Sequence, residues 1–438
     1  MRRREENPRA AGDVARRYIL MNSVNSSPGR LDYLDATRAF ALVLGVVFHA
    51  SLSFMPVFMG WAVQDVSTGS AVMTFVTISH AFRMELFFLL AGFFGCMALQ
   101  RKGVGEFVRD RAVRILVPFV AGWFLLRPLI MSGWTMGAAS LRGDYDFWAA
   151  IVAGFKSLES LPAGIFTGSH LWFLYYLALT TTLLLVGRAV VSAWGAWGER
   201  VLTWADTFVA WMARSRLALA VPMVPTAVAL WFMRFWGMDT PDQSLVPHGP
   251  VLAVYGGFFL LGWLIGRRAD AMAALSRLSW DRWLLGGAGI AGVMLWGDVQ
   301  GDPAHPHYVA AHVGFVASYA AMMWALVFLT IGVFRKICVR ERAWVRYVAD
   351  SSYWMYLVHL PIVVWLQVAI AEVALHWSMK LAVVTLATVG VALITYDLFV
   401  RSTWVGRVLN GRRRERAWAG FFRGGSARRE LARSATGA

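Results

Sequence analysis

The residues with the clearest chemical potential are Arg38 and His49, which lie in the first apolar stretch of the chain. Eleven positions separate them, about 1100° of α-helix, so their side chains lie within about 20° of one helical face. The helical rise between them is about 16 Å, which places Arg38 near one end of the helix and His49 deeper. A guanidinium binds anions, and neutral imidazole takes a proton from a hydroxyl. Asp35 precedes Arg38 by one turn, so this helix start carries both charges.

A second pair, His80 and Arg83, is three residues apart and is expected to share one face of the second apolar stretch. Glu85 lies about 200° away from Arg83 around a helix, so we expect it to contact a different helix. A buried guanidinium without a carboxylate on its own face needs anions or carbonyl oxygens around it. We therefore expect a ligand oxygen, or an acid from another helix, near Arg83.

Two later segments also carry polar side chains inside apolar sequence. "SHLWFLYYL" at 169–177 places His170 and Trp172 at the start of a helix. "DSSYWMYLVHLPIVVW" at 350–365 spaces three polar side chains along one helical stripe, namely Ser352, Tyr356 and His359. Pro361 follows this stripe and is expected to kink the helix beside His359 unless neighbouring groups satisfy the carbonyl that it leaves without a donor. For all of these residues, helix capping, interfacial anchoring or hydrogen bonding inside a bundle is the structural alternative to a role in chemistry.

The elements that must position these residues are helices long enough to cross a lipid bilayer. The chain has 438 residues, of which 58% are hydrophobic and 16% charged, and its mean hydropathy is +0.54. A soluble domain has about 45–50% apolar and about 25% charged residues, so a soluble globular class is excluded. Apolar stretches of about 20 residues match a hydrocarbon core about 30 Å thick and exclude the short alternating strands of an outer-membrane barrel. The sequence predicts an all-α, polytopic transmembrane helix bundle.

We predict ten spans, with both termini in the cytoplasm. They are expected at about 36–56, 71–99, 115–136, 171–192, 217–236, 250–266, 283–299, 309–334, 353–371 and 381–400. With this count, 35 of the 42 Lys and Arg residues fall in the cytoplasmic segments 1–34, 101–114, 188–216, 267–282, 335–346 and 401–438. That asymmetry is the one the positive-inside rule requires. A transmembrane domain at 31–401 is therefore flanked by basic cytoplasmic tails at 1–30 and 402–438.

The net charge of +16 does not indicate nucleic-acid binding, because the basic residues lie between apolar stretches instead of forming one basic domain. The two cysteines supply neither a disulfide framework nor a zinc site. Three histidines stand among acidic residues in the outer segment 297–312, but their spacing is not diagnostic of a metal site. No metal is predicted.

The polar segments together resemble the membrane-bound acyltransferase-3 family. Arg38 and His49 reproduce its Arg-x10-His motif in the first span. Four further blocks follow in the family's order: "HAFRMELFFLLAGFF" at 80–94, "SHLWFL" at 169–174, "SYWMYLVHLP" at 352–361 and "YDLFVR" at 396–401. The resemblance covers about residues 31–401 and is greatest to the branch that succinylates osmoregulated periplasmic glucans. The wider family often has Arg-x-x-Arg in or near the second span, where this chain has only Arg83.

The resemblance implies transfer of an acyl group, with succinyl favoured, from cytoplasmic acyl-coenzyme A to hydroxyls of a periplasmic glucan. It implies a multi-pass protein of the bacterial inner membrane whose partners are acyl-CoA, the glucan or another exported glycan, the lipid bilayer and other membrane proteins of glucan synthesis. Neither a permanently bound cofactor nor a nucleic-acid partner is expected.

The resemblance also assigns roles to the polar residues. His49 is expected to be the base, with His80 as its rival, and Arg83 to stabilise the oxyanion or hold an acyl carboxylate. Donor contacts are expected from Arg38, Asp35, Tyr356 and His359, and acceptor contacts from His170, Trp172 and Ser352. An acyl-histidine intermediate stays open as an alternative to direct transfer.

Other functions remain open from the sequence. The same chemistry would serve O-acetylation of lipopolysaccharide or exopolysaccharide. In a transporter or flippase, the intramembrane His and Arg residues would form a proton or anion path without thioester chemistry. A non-catalytic scaffold would account for the spans but not for the buried titratable residues. Turnover of an acyl-CoA thioester distinguishes the enzyme from the transporter.

Overall fold

The computed structural model of the chain describes residues 31–140, 146–159, 169–338 and 342–416, and these contain helices and no strand. The predicted tail at 1–30 and residues 417–438 of the second predicted tail lie outside the described residues. The α-helices are α1 (Asp32–Ser51), α2 (Ser70–His80), α3 (Arg83–Lys102), α4 (Val104–Arg111), α5 (Val117–Ser140), α6 (Phe147–Lys156), α7 (Trp172–Ala193), α8 (Ala196–Arg214), α9 (Ala220–Trp231), α10 (Gly249–Gly266), α11 (Ala269–Leu275), α12 (Trp280–Gly297), α13 (Tyr308–Ile337), α14 (Ala343–Ile370), α15 (Trp377–Thr395) and α16 (Trp404–Asn410). The prediction of an all-α, polytopic bundle is confirmed.

In the part of the chain that the structure describes, eight helical segments are long and apolar enough to cross a membrane. They are Asp32–Phe54, Ser70–Lys102, Val104–Ser140, Ser169–Ala193, Gly249–Gly266, Tyr308–Ile337, Ala343–Ile370 and Trp377–Val400. The predicted spans at 217–236 and 283–299 are not among them. Helix α9 has 12 residues, so it is only about 18 Å long. Helix α12 has 18 residues, but Asp281 and Arg282 lie in its first turn.

Basic residues at the ends of several helices define one end of the bundle, which we call the inner end. Helix α3 finishes with Arg101 and Lys102, and α13 finishes with Arg335 and Lys336. Under the positive-inside rule this end faces the cytoplasm. The opposite end, where α3 and α13 begin, is the outer end.

Helix α9 runs from the inner towards the outer end, antiparallel to α13. Near the middle of both helices, Trp324 Nε1 donates to Thr226 Oγ1 at 3.0 Å. Further out, Trp231 stacks on His312 with ring centroids 4.1 Å apart. The chain therefore passes from one end of the bundle to the other between α7 and α10, although α9 is short.

Helix α12 lies along α13 in the same antiparallel way. A Cβ built on Gly286 would lie 3.5 Å from the Ala325 side chain, and one on Gly292 would lie 2.2 Å from Ser318 Oγ. As the numbering rises along α12 it falls along α13, so α12 also runs from the inner to the outer end. With α9 and α12 included, the helix directions indicate ten crossings.

Helices α3 and α10 pack with their backbones in contact, because glycines face each other across the interface. A Cβ on Gly92 would lie 2.0 Å from Phe259 O, and one on Gly262 would lie 1.9 Å from Leu89 O. No side chain fits at either position, as is common where membrane helices approach closely. This contact fixes α3, whose first residue is Arg83.

The fold continues beyond residue 402, where the sequence places the start of a tail. Thr403 caps α16 by accepting from Val405 N, and Gly411 ends it with φ +73°. Asn410 Nδ2 then donates to Asp350 O at 3.0 Å. Residues 402–416 are therefore folded against the inner end, and capping residues in the sequence could have revealed this helix.

Candidate active site

A cavity of about 450 Å³ extends from the inner end of the bundle into its middle. All ten residues for which the sequence predicts a role line it: Asp35, Arg38, His49, His80, Arg83, His170, Trp172, Ser352, Tyr356 and His359. They come from four separate segments of the chain, so the fold brings the predicted residues to one place. Their individual roles stay predictions.

His49 lies at the deep end of this cavity, between two aromatic rings. Its ring stacks on Trp61 with centroids 5.6 Å apart and planes 21° apart, and His359 lies 5.2 Å away on another side. The Nδ1 atom of His49 is buried and has no hydrogen-bond partner among the described residues. This imidazole is therefore held by packing and not by a hydrogen bond from its ring.

The tautomer of His359 follows from its hydrogen bonds. Its Nδ1 lies 2.7 Å from Tyr356 O and 3.2 Å from Met355 O. A carbonyl oxygen only accepts, so Nδ1 carries the proton and Nε2 holds the lone pair in the neutral ring. His359 is thus anchored to its own helix, α14.

His170 satisfies the carbonyl that Pro361 leaves without a donor. Proline has no N–H, so Leu357 O lacks its usual partner four residues later. His170 Nε2 donates to this oxygen at 3.0 Å, and Tyr356 Oη donates to His170 O at 2.8 Å. The kink expected beside His359 is therefore avoided, because a neighbouring group satisfies the carbonyl that Pro361 leaves free. Helix α14 stays continuous through the proline. The hydrogen bonds of His170 hold the start of α7 against α14.

Trp172, two residues further, is mainly packed. It is 7% exposed and stacks on Tyr255 with ring centroids 5.5 Å apart and planes 22° apart. It nevertheless lines the cavity. The structure thus leaves Trp172 little free surface for the predicted acceptor contact.

His80 and Arg83 border the same cavity, but they are not on one continuous helix as the sequence predicts. His80 is the last residue of α2 and Arg83 the first of α3, because Phe82 between them leaves helical geometry with φ −135° and ψ −16°. His80 Nε2 lies 3.2 Å from Thr240 Oγ1 in the segment that precedes α10. The pair therefore meets the cavity from a helix break near its outer side.

Arg83 is buried, at 4% exposure, and few polar partners surround its guanidinium group. The guanidinium carbon lies 4.2 Å from the centre of the Phe48 ring, and Nε and Nη1 have no hydrogen-bond partner among the described residues. Gly45 lies beside this side chain, and a Cβ built on it would be in ordinary van der Waals contact with Arg83 Cδ at 3.7 Å. Glu85 is fully buried, and neither of its carboxylate oxygens has a hydrogen-bond partner among the described residues. A buried cation of this kind favours an anionic ligand group.

At the inner end, Arg38 is tied to α14. Its Nη2 donates to Ala349 O at 3.1 Å and lies 3.4 Å from Asp35 Oδ1. Ser352 Oγ donates to the same Ala349 O at 2.7 Å. Ser352 therefore lies on the inner side beside Arg38, and not on the outer side where its predicted role in acceptor binding would require it, because α14 runs outwards from residue 343.

Three further arginines at the inner end of the cavity were not predicted as site residues. Arg111 is the last residue of α4, Arg114 lies in the helical turn between α4 and α5, and Arg412 follows α16. Arg114 pairs with Asp110 at 3.0 Å, whereas Arg412 is 54% exposed and lies 4.0 Å from Asp350. In the sequence they are ordinary basic residues of inner loops, and only the fold brings them to the cavity.

Two residues behind His49 were also missed. Gln367, 1% exposed in α14, donates from Nε2 to His49 O at 3.1 Å, and Trp61 Nε1 donates to Gln367 Oε1 at 2.9 Å. An amide inside the apolar stretch "IVVWLQVAI" is a signal that could have identified Gln367. Nothing in the sequence points to Trp61.

Among the described residues, no group of three or more His, Cys, Asp or Glu side chains is arranged to hold a metal ion. Of the three histidines at 297–312, His312 stacks on Trp236 with ring centroids 4.7 Å apart and on Trp231 at 4.1 Å. Its position is therefore explained by aromatic packing.

Comparison with known proteins agrees with this arrangement. Residues 31–397 match the family described as Acyltransferase domain (acyltransferase 3). The chain is also similar to Glucans biosynthesis protein C of Escherichia coli strain K12 and of Escherichia coli O1:K1 / APEC. Each is 27% identical over 161 residues, which is 36% of this chain and 40% of the relative, so the match spans two fifths of the relatives' length. No solved structure matches the chain. Since the family match covers most of the sequence, this multi-pass membrane protein belongs to the acyltransferase-3 family.

Proposed function

We propose that the chain is an O-acyltransferase of the bacterial inner membrane that moves an acyl group from cytoplasmic acyl-CoA to hydroxyls of a periplasmic glucan. The observation that carries the proposal is a single cavity that joins an arginine-rich inner mouth to an imidazole, that of His49, whose buried Nδ1 has no partner in the described part of the chain. A donor entering from one side and an acceptor from the other would meet at that imidazole.

The inner mouth suits the phosphate groups of coenzyme A. Arg38, Arg111, Arg114 and Arg412 all line it, and guanidinium groups bind phosphate oxygens through two N–H donors at once. The volume of about 450 Å³ lies within the range of about 300–1,000 Å³ common for small-molecule sites. From Arg38 to His49 the helix rises about 16 Å, so a long, thin donor bound at the mouth would carry its thioester to His49.

The reaction itself needs a base and a group that stabilises negative charge. His49 takes the proton of a sugar hydroxyl while the oxygen attacks the thioester carbonyl. Arg83 faces the negative charge that develops on the carbonyl oxygen or on the acyl group. The carbon–sulfur bond then breaks, and the proton passes from His49 to the leaving thiolate, which releases coenzyme A. His80 is the second candidate for the base.

Succinyl is the acyl group that we propose, and a glucan the acceptor. A succinyl group carries a carboxylate, and Arg83 is a buried cation with two guanidinium nitrogens unpaired among the described residues. The relatives named Glucans biosynthesis protein C support an acceptor of the glucan class. O-acetyl transfer to another exported glycan is the alternative within the same chemistry.

Two measurements test the proposed function. Purified protein in detergent is given labelled succinyl-CoA or acetyl-CoA, and release of free coenzyme A is followed; a transporter would release none. Periplasmic glucans from cells with and without the protein are then compared by mass spectrometry. A mass increase equal to a succinyl group, present only with the protein, supports the proposal. A mass increase equal to an acetyl group would identify acetyl, and not succinyl, as the transferred group. An unchanged glucan mass would rule out the glucan as the acceptor.

A further inference from the structure

Gln367 uses its whole amide group to join two parts of the chain around His49. Its Nε2 donates to His49 O at 3.1 Å and to Ala50 O at 3.0 Å, two of the last carbonyls of α1. Its Oε1 accepts from Trp61 Nε1 at 2.9 Å. The final carbonyls of a helix have no partner within it, so a buried amide is a suitable cap. The end of α1 and the indole of Trp61 are thus held by the same side chain.

Trp61 closes the side of His49 that faces away from the cavity. One face of the indole stacks on the imidazole at 5.6 Å, and Trp134 lies against Trp61 on another side at 5.2 Å with planes 66° apart. None of residues 55–69, which include Trp61 and which we call the roof segment, lines the cavity. The roof segment therefore separates His49 from the outer end of the bundle.

The roof segment is fixed at several points. Asp65 Oδ1 pairs with Lys380 Nζ at 2.7 Å, and both side chains are at most 1% exposed. Trp377 N donates to Ser67 Oγ at 2.9 Å. A buried ion pair that lost either partner would leave an isolated charge, so this anchor resists local opening. The roof segment is therefore a rigid part of the fold and not a flexible loop.

We propose that Gln367 and Trp61 are positioning residues that hold the His49 imidazole towards the cavity and keep water from its outer side. The inference rests on the proposed acyl transfer. If water reached His49, it would lose a proton to the imidazole and attack the thioester carbonyl; the carbon–sulfur bond would break and the thiolate would take the proton. The products would be the free acid and coenzyme A, so the acyl group would be wasted.

The experiment compares Trp61→Phe with Trp365→Phe. The first variant keeps an aromatic ring against His49 but removes the N–H that binds Gln367. The matched control removes an indole N–H from the same helix as Gln367, where Trp365 Nε1 donates to Leu129 O at 2.8 Å. Gln367→Leu, which removes all three hydrogen bonds of the amide, is the stronger variant. Folding of each is checked by thermal unfolding in detergent.

Two readouts are taken. The first is the ratio of hydrolysis to transfer with labelled acyl-CoA, which we expect Trp61→Phe to raise about two- to tenfold, the range expected for losing one neutral hydrogen bond. The donor KM stays unchanged, because the inner mouth is intact. The second needs no turnover: the rate at which diethyl pyrocarbonate modifies His49, followed by mass spectrometry, rises in Trp61→Phe and not in Trp365→Phe.

The outcomes separate the two proposals. Changes in both readouts that are confined to the Trp61 and Gln367 variants support the positioning role. Wild-type values in Trp61→Phe, or equal changes in Trp365→Phe, overturn it. If the wild type releases no coenzyme A from any acyl-CoA while His49 labelling still rises in Trp61→Phe, acyl transfer is wrong and the shielding of His49 stands.

Discussion

Four histidines border the cavity, and their hydrogen bonds distinguish them at the level of single residues. His359 and His170 donate from the ring to backbone carbonyls, and His80 lies within hydrogen-bond distance of Thr240. His49 Nδ1, by contrast, is buried and has no partner in the described residues. A base must be free to gain and release a proton during the reaction, so this difference favours His49.

Replacing His49 tests that role directly. We expect His49→Gln to lower the rate of transfer by about 10²-fold or more, the usual contribution of a general base, while the donor KM changes little. Steady-state release of coenzyme A in the presence of acceptor measures both quantities. His307→Gln, in the outer segment away from the cavity, is the control and should behave as the wild type. Near-normal transfer by His49→Gln would mean that His80, and not His49, is the general base.

Arg83 has two possible duties that kinetics can separate. If it holds the carboxylate of a succinyl donor, Arg83→Gln lowers kcat/KM for succinyl-CoA by about 10- to 100-fold, the cost of losing a charged hydrogen bond. Acetyl-CoA, which has no such carboxylate, is then affected much less. Equal losses with both donors would instead assign Arg83 to the oxyanion. Arg127→Gln, an arginine outside the cavity lining that lies 5.0 Å over the Trp123 ring, is the control.

At the scale of elements, Pro361 links α14 to the start of α7. Its missing N–H frees Leu357 O, and His170 Nε2 occupies that oxygen. We expect Pro361→Ala to restore a backbone donor that competes with His170. The melting temperature should not fall, since a helix interior favours Ala over Pro, whereas transfer should fall by up to about tenfold. Unfolding curves and transfer rates of the same preparations test this.

Pro128→Ala is the matched control, because Pro128 also lies inside a long helix, α5, but does not line the cavity. It should leave transfer unchanged. If both the melting temperature and the transfer rate of Pro361→Ala fall, the proline serves stability alone.

The sequence predicts those parts of the site that depend on spacing within one helix. Arg38 and His49 share a stripe of α1 because helical periodicity alone determines it. His80 and Arg83 meet across a helix break, which periodicity does not reveal. Trp61 and Gln367 are brought together only by the packing of the roof segment on α14. Contacts between distant segments depend on tertiary structure, so neither spacing nor composition could identify them.

At the scale of the whole molecule, the number of crossings determines which loops face the acceptor. Helices α3 and α10 run parallel, because Phe88 stacks on Tyr255 at 4.6 Å near their outer ends and a Cβ on Gly266 would lie 2.8 Å from Cys96 Cβ further in. The chain must therefore return to the outer end between α7 and α10. Tyr175 Oη donates to Leu245 O at 2.6 Å, which joins the start of α7 to the segment before α10. That segment contains Thr240, the residue next to His80. Ten crossings therefore place the outer side of the site at a loop exposed to the acceptor.

Cysteine labelling tests this arrangement in intact cells. In a chain carrying Cys96→Ala and Cys338→Ser, we expect Ser244→Cys to react with a membrane-impermeant maleimide in intact cells. Arg200→Cys, in α8, should react only after permeabilisation, because α9 crosses between these two exposed positions. Native Cys338 in a chain carrying Cys96→Ala serves as the inner control. With eight crossings, residues 194–248 would all lie on one side, and Ser244→Cys and Arg200→Cys would be labelled alike. That result would place the Thr240 segment on the cytoplasmic side. The proposed acceptor would then have no route past His80 to His49.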